Sequence, residues 1–211
     1  MDTEEATMNV LVACETSGEV REAFRAVGHN AWSIDLLESD DDSPHHIVGD
    51  IMEYIDARED WGMGLKLDLI IMHPPCTALC VSGNAHYGSG KPKHHMREAA
   101  KSYTMKLWAK ALSICDRVAM ENPVGVIPMK ASQYIQPYEF GHPESKKTGL
   151  WLHGLPKLEC TNKLPIPESG VWSNQTPSGQ NNLGPSADRW KIRSKTYAGI
   201  AEAMASQWSP V

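Results

Sequence analysis

The 211-residue sequence has no run approaching the roughly 18 consecutive apolar residues that a membrane-spanning helix needs. Its first residues, Met1 to Thr7, are acidic and polar, unlike a basic leader followed by an apolar stretch. Both absences lead to the expectation of a cytoplasmic protein. The five cysteines, Cys14, Cys76, Cys80, Cys115 and Cys160, are odd in number and scattered, which argues against a disulfide framework. A chain of this length buries a good core without cross-links, so reduced thiols are expected. No G-x-G-x-x-G joins the first apolar run to the first helical pattern, and G-x-x-x-x-G-K-[ST] occurs nowhere. A recognised phosphate cradle is missing, which disfavours a nicotinamide dinucleotide or ATP. Internal repeats are absent, and there is no low-complexity tract beyond Glu38 to Ser43.

What is present reads as one globular domain over residues 1–211, since 41% hydrophobic and 22% charged residues lie near the soluble average. The charge is uneven. Residues 1–60 hold 16 Asp/Glu and 3 Lys/Arg, while residues 61–211 hold 10 and 17. The net −6 therefore divides into an acidic head and a basic remainder, so that a polyanion would approach one face only. The plainer alternative is a solvated surface.

Asn9 to Cys14 is a Val-rich run too short for a helix, followed by Glu15-Thr16-Ser17-Gly18, which is turn and cap chemistry. Val20, Ala23, Phe24 and Val27 then recur at helical spacing. Further apolar runs stop at polar residues: Ala31 to Ile34 at Asp35, His46 to Val48 at Gly49-Asp50, Leu67 to Met72 at His73-Pro74-Pro75-Cys76, and Arg117 to Met120 at Glu121-Asn122-Pro123. Met96 to Ile114 predicts a long helix, Gly149 to Leu152 a further strand, Cys160 to Ser186 loop, and Thr196 to Trp208 a closing helix. Alternating strands and helices indicate a mainly parallel sheet with both faces covered.

In such a sheet ligands bind at the carboxyl ends of the strands, so the residues that stop the strands are the candidates. Acidic residues after three successive strands suit ribose hydroxyls and an exocyclic amine, because carboxylates accept hydrogen bonds from both. Turn and helix capping is the alternative for Asp35 and Asp50. A cofactor with adenosine but no phosphate fits, and S-adenosylmethionine is the common one. Cys76 follows two prolines that remove amide donors and hold the chain extended, which presents the thiol to the cleft as a candidate nucleophile. Glu121 stands at the end of the next strand. A nucleophile beside an acid that binds a ring nitrogen suits attack on an electron-poor pyrimidine.

The ordered segments VLVACETSG, WSID, VGDI, DLIIMHPPC, VAMENPVGV and GIAEAMASQW, running from about Asn9 to Trp208, resemble the cytosine-5 DNA methyltransferases. The likeness is greatest to short phage and prophage members. It implies a class I S-adenosylmethionine-dependent, Rossmann-like fold with about seven strands, and methyl transfer to carbon 5 of cytosine. It implies that Glu15, Thr16, Ser17 and Gly18 line the methionine side of the cofactor, that Asp35 meets the ribose, Asp50 the adenine, and that Pro74 borders the same site. Cys76 would add to carbon 6, with Glu121 and Asn122 completing the catalytic set. Where the family has Gln-x-Arg-x-Arg, with an arginine on the pyrimidine carbonyl, this chain has Glu144-Ser145-Lys146-Lys147-Thr148. Lys147 is accordingly placed in the catalytic set and Lys146 with the substrate.

Only about 40 residues, 152–193, stand where the family carries a target-recognition domain. Duplex DNA, single strands, RNA and a free cytosine nucleotide all remain open as substrates, with DNA the leading expectation. Gly83 to His95 reads as a substrate-gating lid, with Lys91, Lys93 and Arg97 on phosphates and Thr77 and Ser82 as further substrate contacts. Two rivals remain. A zinc deaminase would use His142-Pro143-Glu144 and Pro75-Cys76, but the cysteine spacing and the order are wrong, and no metal is expected at His86, His94 and His95. A non-catalytic nucleic-acid-binding module of the same fold is the other.

Overall fold

A computed structural model describes residues 6–57 and 66–210. Seven strands form one sheet: β1 (Asn9–Ala13), β2 (Asn30–Asp35), β3 (His46–Val48), β4 (Leu69–Met72), β5 (Val118–Pro123), β6 (Gln133–Ile135) and β7 (Thr148–His153). Six helices accompany them: α1 (Glu19–Ala26), α2 (Ile51–Ala57), α3 (Asn84–Tyr87), α4 (His94–Leu112), α5 (Arg189–Ser194) and α6 (Ala198–Trp208). The strand order is β3-β2-β1-β4-β5-β7-β6. The first five strands are parallel, and β7 runs antiparallel to both β5 and β6. This is the mainly parallel sheet that the alternating pattern led one to expect, with the seven strands that the resemblance implied.

The central strands are apolar on both sides because helices cover both sides. Val10, Val12, Leu69, Ile71 and Ala119 point into one core with Val20 and Phe24 of α1 and Ile200, Met204 and Trp208 of α6. Their strand neighbours Leu11, Ala13, Ile70, Met72, Val118 and Met120 point into the other, with Ile51 and Ile55 of α2 and Leu107 and Ala111 of α4. Residue parity along each strand thus decides which layer a side chain meets.

The structure adds α5, in the basic stretch from Arg189 to Ser194, together with α2 and β6, to the elements expected from the sequence. The stretch Gly83 to His95 is not one lid loop but a helical turn at Val81–Gly83, then α3, and then the start of α4. The segment 152–193 packs on the domain: Trp172 stacks on Tyr138 at 4.7 Å, and Glu159 and Gln207 exchange two hydrogen bonds. Among the described residues, no helix is long and apolar enough to cross a membrane.

Trp208 closes the chain's last helix with no exposed surface, and its indole N–H donates to the Pro156 carbonyl at 3.1 Å. Trp208→Ala is expected to cost about 3–5 kcal/mol, as large-to-small core changes do, and urea unfolding followed by circular dichroism measures it.

Candidate active site

The polar residues that stop β1, β2, β4 and β5 gather at one edge of the sheet. Past β1 the chain turns sharply: Cys14 has φ 60° and Gly18 φ 72°. A side chain at Gly18 would collide with the Arg21 guanidinium and the Asp41 carboxylate, so the turn needs glycine twice over. Glu15 is buried, and its carboxylate receives the amides of Val20 at 2.8 Å and Arg21 at 3.3 Å. It caps α1, where negative charge is favoured. Thr16 and Ser17 are half-buried at the turn, and the Ser17 hydroxyl donates to Glu15 at 3.3 Å.

Asp35 and Asp50 each spend one oxygen locally. Asp35 Oδ1 accepts the Leu37 amide at 3.0 Å, and Asp50 Oδ1 accepts the Met52 amide at 2.7 Å, capping α2. Both side chains act on Cys14, whose thiol is pushed up to about 12 by burial and then by these carboxylates. The Tyr103 phenol of α4 acts on that thiol in the opposite direction, and burial and the Cys14 neighbour push its own hydroxyl up in turn. Leu36, directly after Asp35, is 69% exposed, an apolar side chain left uncovered at a strand end.

The second half of the site lies on β4 and β5. Met72 pairs with Met120, so the next residues, His73 and Glu121, stand side by side. Nδ1 of His73 is 2.9 Å from Oε2 of Glu121, with both side chains about nine-tenths buried. Burial alone would raise the Glu121 carboxyl, but the His73 bond and Lys146 hold it below the usual glutamate range. Burial opposes charge on His73, yet Glu121 and then Glu15 outweigh it, and the imidazole is held above its ordinary value. One residue on, the Asn122 amide donates to the buried Pro74 carbonyl at 2.8 Å, a tie between the two loops. The Asn122 Oδ1 is buried with no hydrogen-bond partner among the described residues.

Cys76 is half-buried, and burial followed by the neighbouring Cys80 pushes its thiol up, while Lys146 acts in the opposite direction. The chain beyond it is held closely. Cys80 bridges Gly125, Val126 N–H donates to Leu79 O at 3.0 Å, and a Cβ at Gly125 would sit 2.2 Å from that same carbonyl. Thr77 and Ser82 are exposed beside Cys80, with the Ser82 hydroxyl 3.0 Å from the Cys80 sulfur.

Arg97 is a correction. Expected to meet phosphates, it is buried and donates to the Ala78 carbonyl at 2.7 Å, the Asn84 side chain at 2.7 Å and the Cys80 carbonyl at 3.2 Å. Its charge is consumed in clamping the loop after Cys76 to α4. Lys91 and Lys93 are exposed ahead of α4.

The two lysines diverge. Lys147 turns away, with its ammonium 4.7 Å from the centre of the exposed Tyr134 ring. Lys146 is the one whose charge acts on Cys76, His73 and Glu121, and its ammonium lies 5.7 Å from the Tyr197 ring centre. Its backbone is fixed by Gln136, whose Oε1 accepts the Lys146 amide at 3.0 Å. On the other flank Asn174 exchanges two hydrogen bonds with Ser145, each 3.0 Å. Nε2 of His142 accepts the Gly199 amide at 3.0 Å, and Glu144 accepts the Tyr197 hydroxyl. No cluster of three potential metal ligands occurs among the described residues.

No family model matches the sequence, and no curated protein is significantly similar to it. Among solved structures, the bifunctional kinase-methyltransferase WbdD aligns at 15% identity and a TM-score of 0.42, over 80% of this chain and 39% of that one. The Dnmt2 methyltransferase of S. pombe aligns at 15% identity and 0.43, over 72% and 51%. The chain thus spans only two-fifths to half the length of these structures.

Two outcomes follow from the loop and the thiol. Arg97→Met removes the donor to the part-buried Ala78 carbonyl and to the Asn84 side chain, while the Cys80 carbonyl keeps the Gly83 amide, and is expected to cost about 1–3 kcal/mol in urea unfolding and to open residues 76–93 to proteolysis. Alkylation of Cys76 by iodoacetamide in the free protein, followed by peptide mass spectrometry, should rise about tenfold per pH unit from about pH 7 to 9. A plateau below that range would mean a thiolate already formed.

Proposed function

We propose that the protein is an S-adenosylmethionine-dependent methyltransferase acting on carbon 5 of cytosine, with DNA as its leading substrate. The observation that carries this reading is the presentation of Cys76 and Glu121 from the ends of adjacent central strands, in loops tied by the Asn122 to Pro74 bond. A lone cysteine or a lone capped carboxylate would support far less.

The residues at the ends of β1, β2 and β3 suit the cofactor. Asp35 and Asp50 are carboxylates that also cap local amides, Leu36 offers an uncovered apolar side chain beside Asp35, and the Cys14 thiol between them stays neutral. These suit ribose hydroxyls, an adenine face and an exocyclic amine. When bound, the cofactor supplies an electrophilic methyl group.

The chain's own residues supply the rest. Carbon 5 of cytosine is a poor nucleophile until a thiolate adds to carbon 6, which is the work of Cys76. Because burial disfavours the thiolate, the Lys146 ammonium is the group that lowers its cost, and the same charge stabilises the ring as it gains electron density. Glu121 binds the amine edge of the base. Once carbon 5 carries the methyl group, loss of its proton to water reforms the ring double bond and expels the Cys76 thiolate. Lys146, rather than Lys147, takes the place of the family's arginine on the pyrimidine carbonyl, as a point charge and not a fork.

Incubation with methyl-labelled S-adenosylmethionine and separate pools of duplex DNA, single-stranded DNA, RNA and dCMP tests the proposal. Label should appear as 5-methylcytosine in DNA, and Cys76→Ala should lower transfer by about 10⁴-fold or more while leaving cofactor binding intact. Label in the RNA or dCMP pool alone would move the substrate class. Unchanged transfer by the Cys76 variant, or label in none of the pools, would remove the mechanism.

A further inference from the structure

His73 is a buried titratable side chain that the chemistry above leaves unused. It sits directly after β4, and its main-chain N–H donates to the Ala13 carbonyl at 2.9 Å, which extends the β4–β1 pairing and fixes the residue in place. Its Nδ1 lies 2.9 Å from Glu121 Oε2, so Nδ1 carries the proton and the carboxylate accepts it. The other ring nitrogen, Nε2, is buried with no hydrogen-bond partner among the described residues. Leaving a polar atom unpaired in the interior is unfavourable, and an apolar side chain of similar size would avoid it. What the histidine offers in return is the bond to Glu121.

That bond matters because of what Glu121 has to do. A glutamate at a strand end turns about three side-chain torsions, and binding a base demands one orientation of the carboxyl plane. With Oε2 held by the imidazole, the plane is set by a group that is itself fixed to the sheet. The charged groups facing His73 are Glu121 from β5, Glu15 from the turn after β1, and Lys146 from the segment before β7. Two carboxylates against one ammonium favour the imidazolium, which makes the bond to Glu121 charge-assisted.

We propose that His73 is a positioning residue for the acid partner: its Nδ1–H locks Oε2 of Glu121 and leaves Oε1 for the amine edge of a cytosine held against Cys76. The proposal rests on the cytosine-5 reading given above.

Two variants separate position from mere structure. In His73→Asn the side-chain amide nitrogen stands near the place of Nδ1 and keeps a donor that does not titrate, whereas His73→Leu keeps bulk and loses the donor. Both are assayed for cofactor binding and thermal unfolding. Single-turnover adduct formation is then followed on an oligonucleotide containing 5-fluorocytosine, which traps the covalent species because the carbon 5 substituent does not leave as a proton does. The Leu variant should form adduct about 100-fold more slowly with KM for the oligonucleotide changed by less than about threefold, a loss of the size that acid–base partners contribute. The Asn variant should recover at least about a tenth of the wild-type rate and lack the inflection that the imidazolium gives the wild-type pH profile. Adduct formation by the Leu variant at the wild-type rate with an unchanged pH profile overturns the inference. So does failure of the Asn variant to recover while cofactor binding is intact. If the wild-type protein itself forms no adduct, the cytosine reading fails and the role of His73 falls with it; if it does and the Leu variant matches it, only the role of His73 is lost.

Discussion

Parallel pairing of Ile70, Ile71 and Met72 with Val118, Ala119 and Met120 brings His73 level with Glu121 and Pro74 level with Asn122. Both ties between the strand-end loops, the ion pair and the Asn122 to Pro74 hydrogen bond, follow from that register. Slipping the pairing by one residue would turn Glu121 and Cys76 toward different layers. The hydrophobic core prevents the slip, because every residue of β4 and the first three of β5 are buried and each parity has its own helices to meet. The chemistry of the site is therefore paid for in the core.

The same burial sets the electrostatics. A thiol and two carboxylates taken out of water resist ionisation, and only paired charges restore it. Glu121 finds His73, whereas Glu15 finds the amides of α1 and is still held above the usual carboxylate range by burial, and Cys76 feels the pull of Lys146 against its own burial. The two groups therefore differ in the free protein: Glu121 is held as a carboxylate, whereas Cys76 is held as a thiol. A protein with an exposed, ionised cysteine would meet oxidants and electrophiles at all times, and this arrangement limits that.

Much of the fold is legible in the sequence because the five parallel strands are short apolar runs cut off by polar residues. What escaped has a physical reason in each case. α5 buries none of its residues, so it carries no apolar periodicity, and β6 is a three-residue edge strand beginning with Gln133. α2 has Ile51, Tyr54 and Ile55 at helical spacing but only two turns in which to show it. In the site, Cys76 and Glu121 stand out through local context, whereas the meaning of His73 depends on a neighbour 48 residues away. Arg97 reads as a phosphate ligand in a Lys-rich segment, and nothing local reveals that two carbonyls and an amide oxygen await it. Lys146 and Lys147, which precede β7 (Thr148–His153), diverge to different neighbours, Tyr197 and Tyr134, and the strand read from Gly149 stopped short of them.

The uneven charge of the chain acquires a different sense once the partners are known. Part of the basic remainder is spent on the acidic head, through Lys191 to Asp40 at 2.8 Å, Lys195 to Glu19 at 2.7 Å, and Lys110 to Asp56. The first two ion pairs hold α5, which has no buried residue, across the rim formed by the start of α1 and the loop after β2. Exposed pairs of this kind contribute little each and weaken with salt. Arg97 is likewise consumed, in the clamp that holds the loop after Cys76 to α4. On the cytosine-5 proposal, the exposed Lys91 and Lys93 and the Lys146 charge beside Cys76 would be left to meet the substrate, and an unpaired cytosine, which costs least to extrude, would suit the protein better than one in a stable duplex.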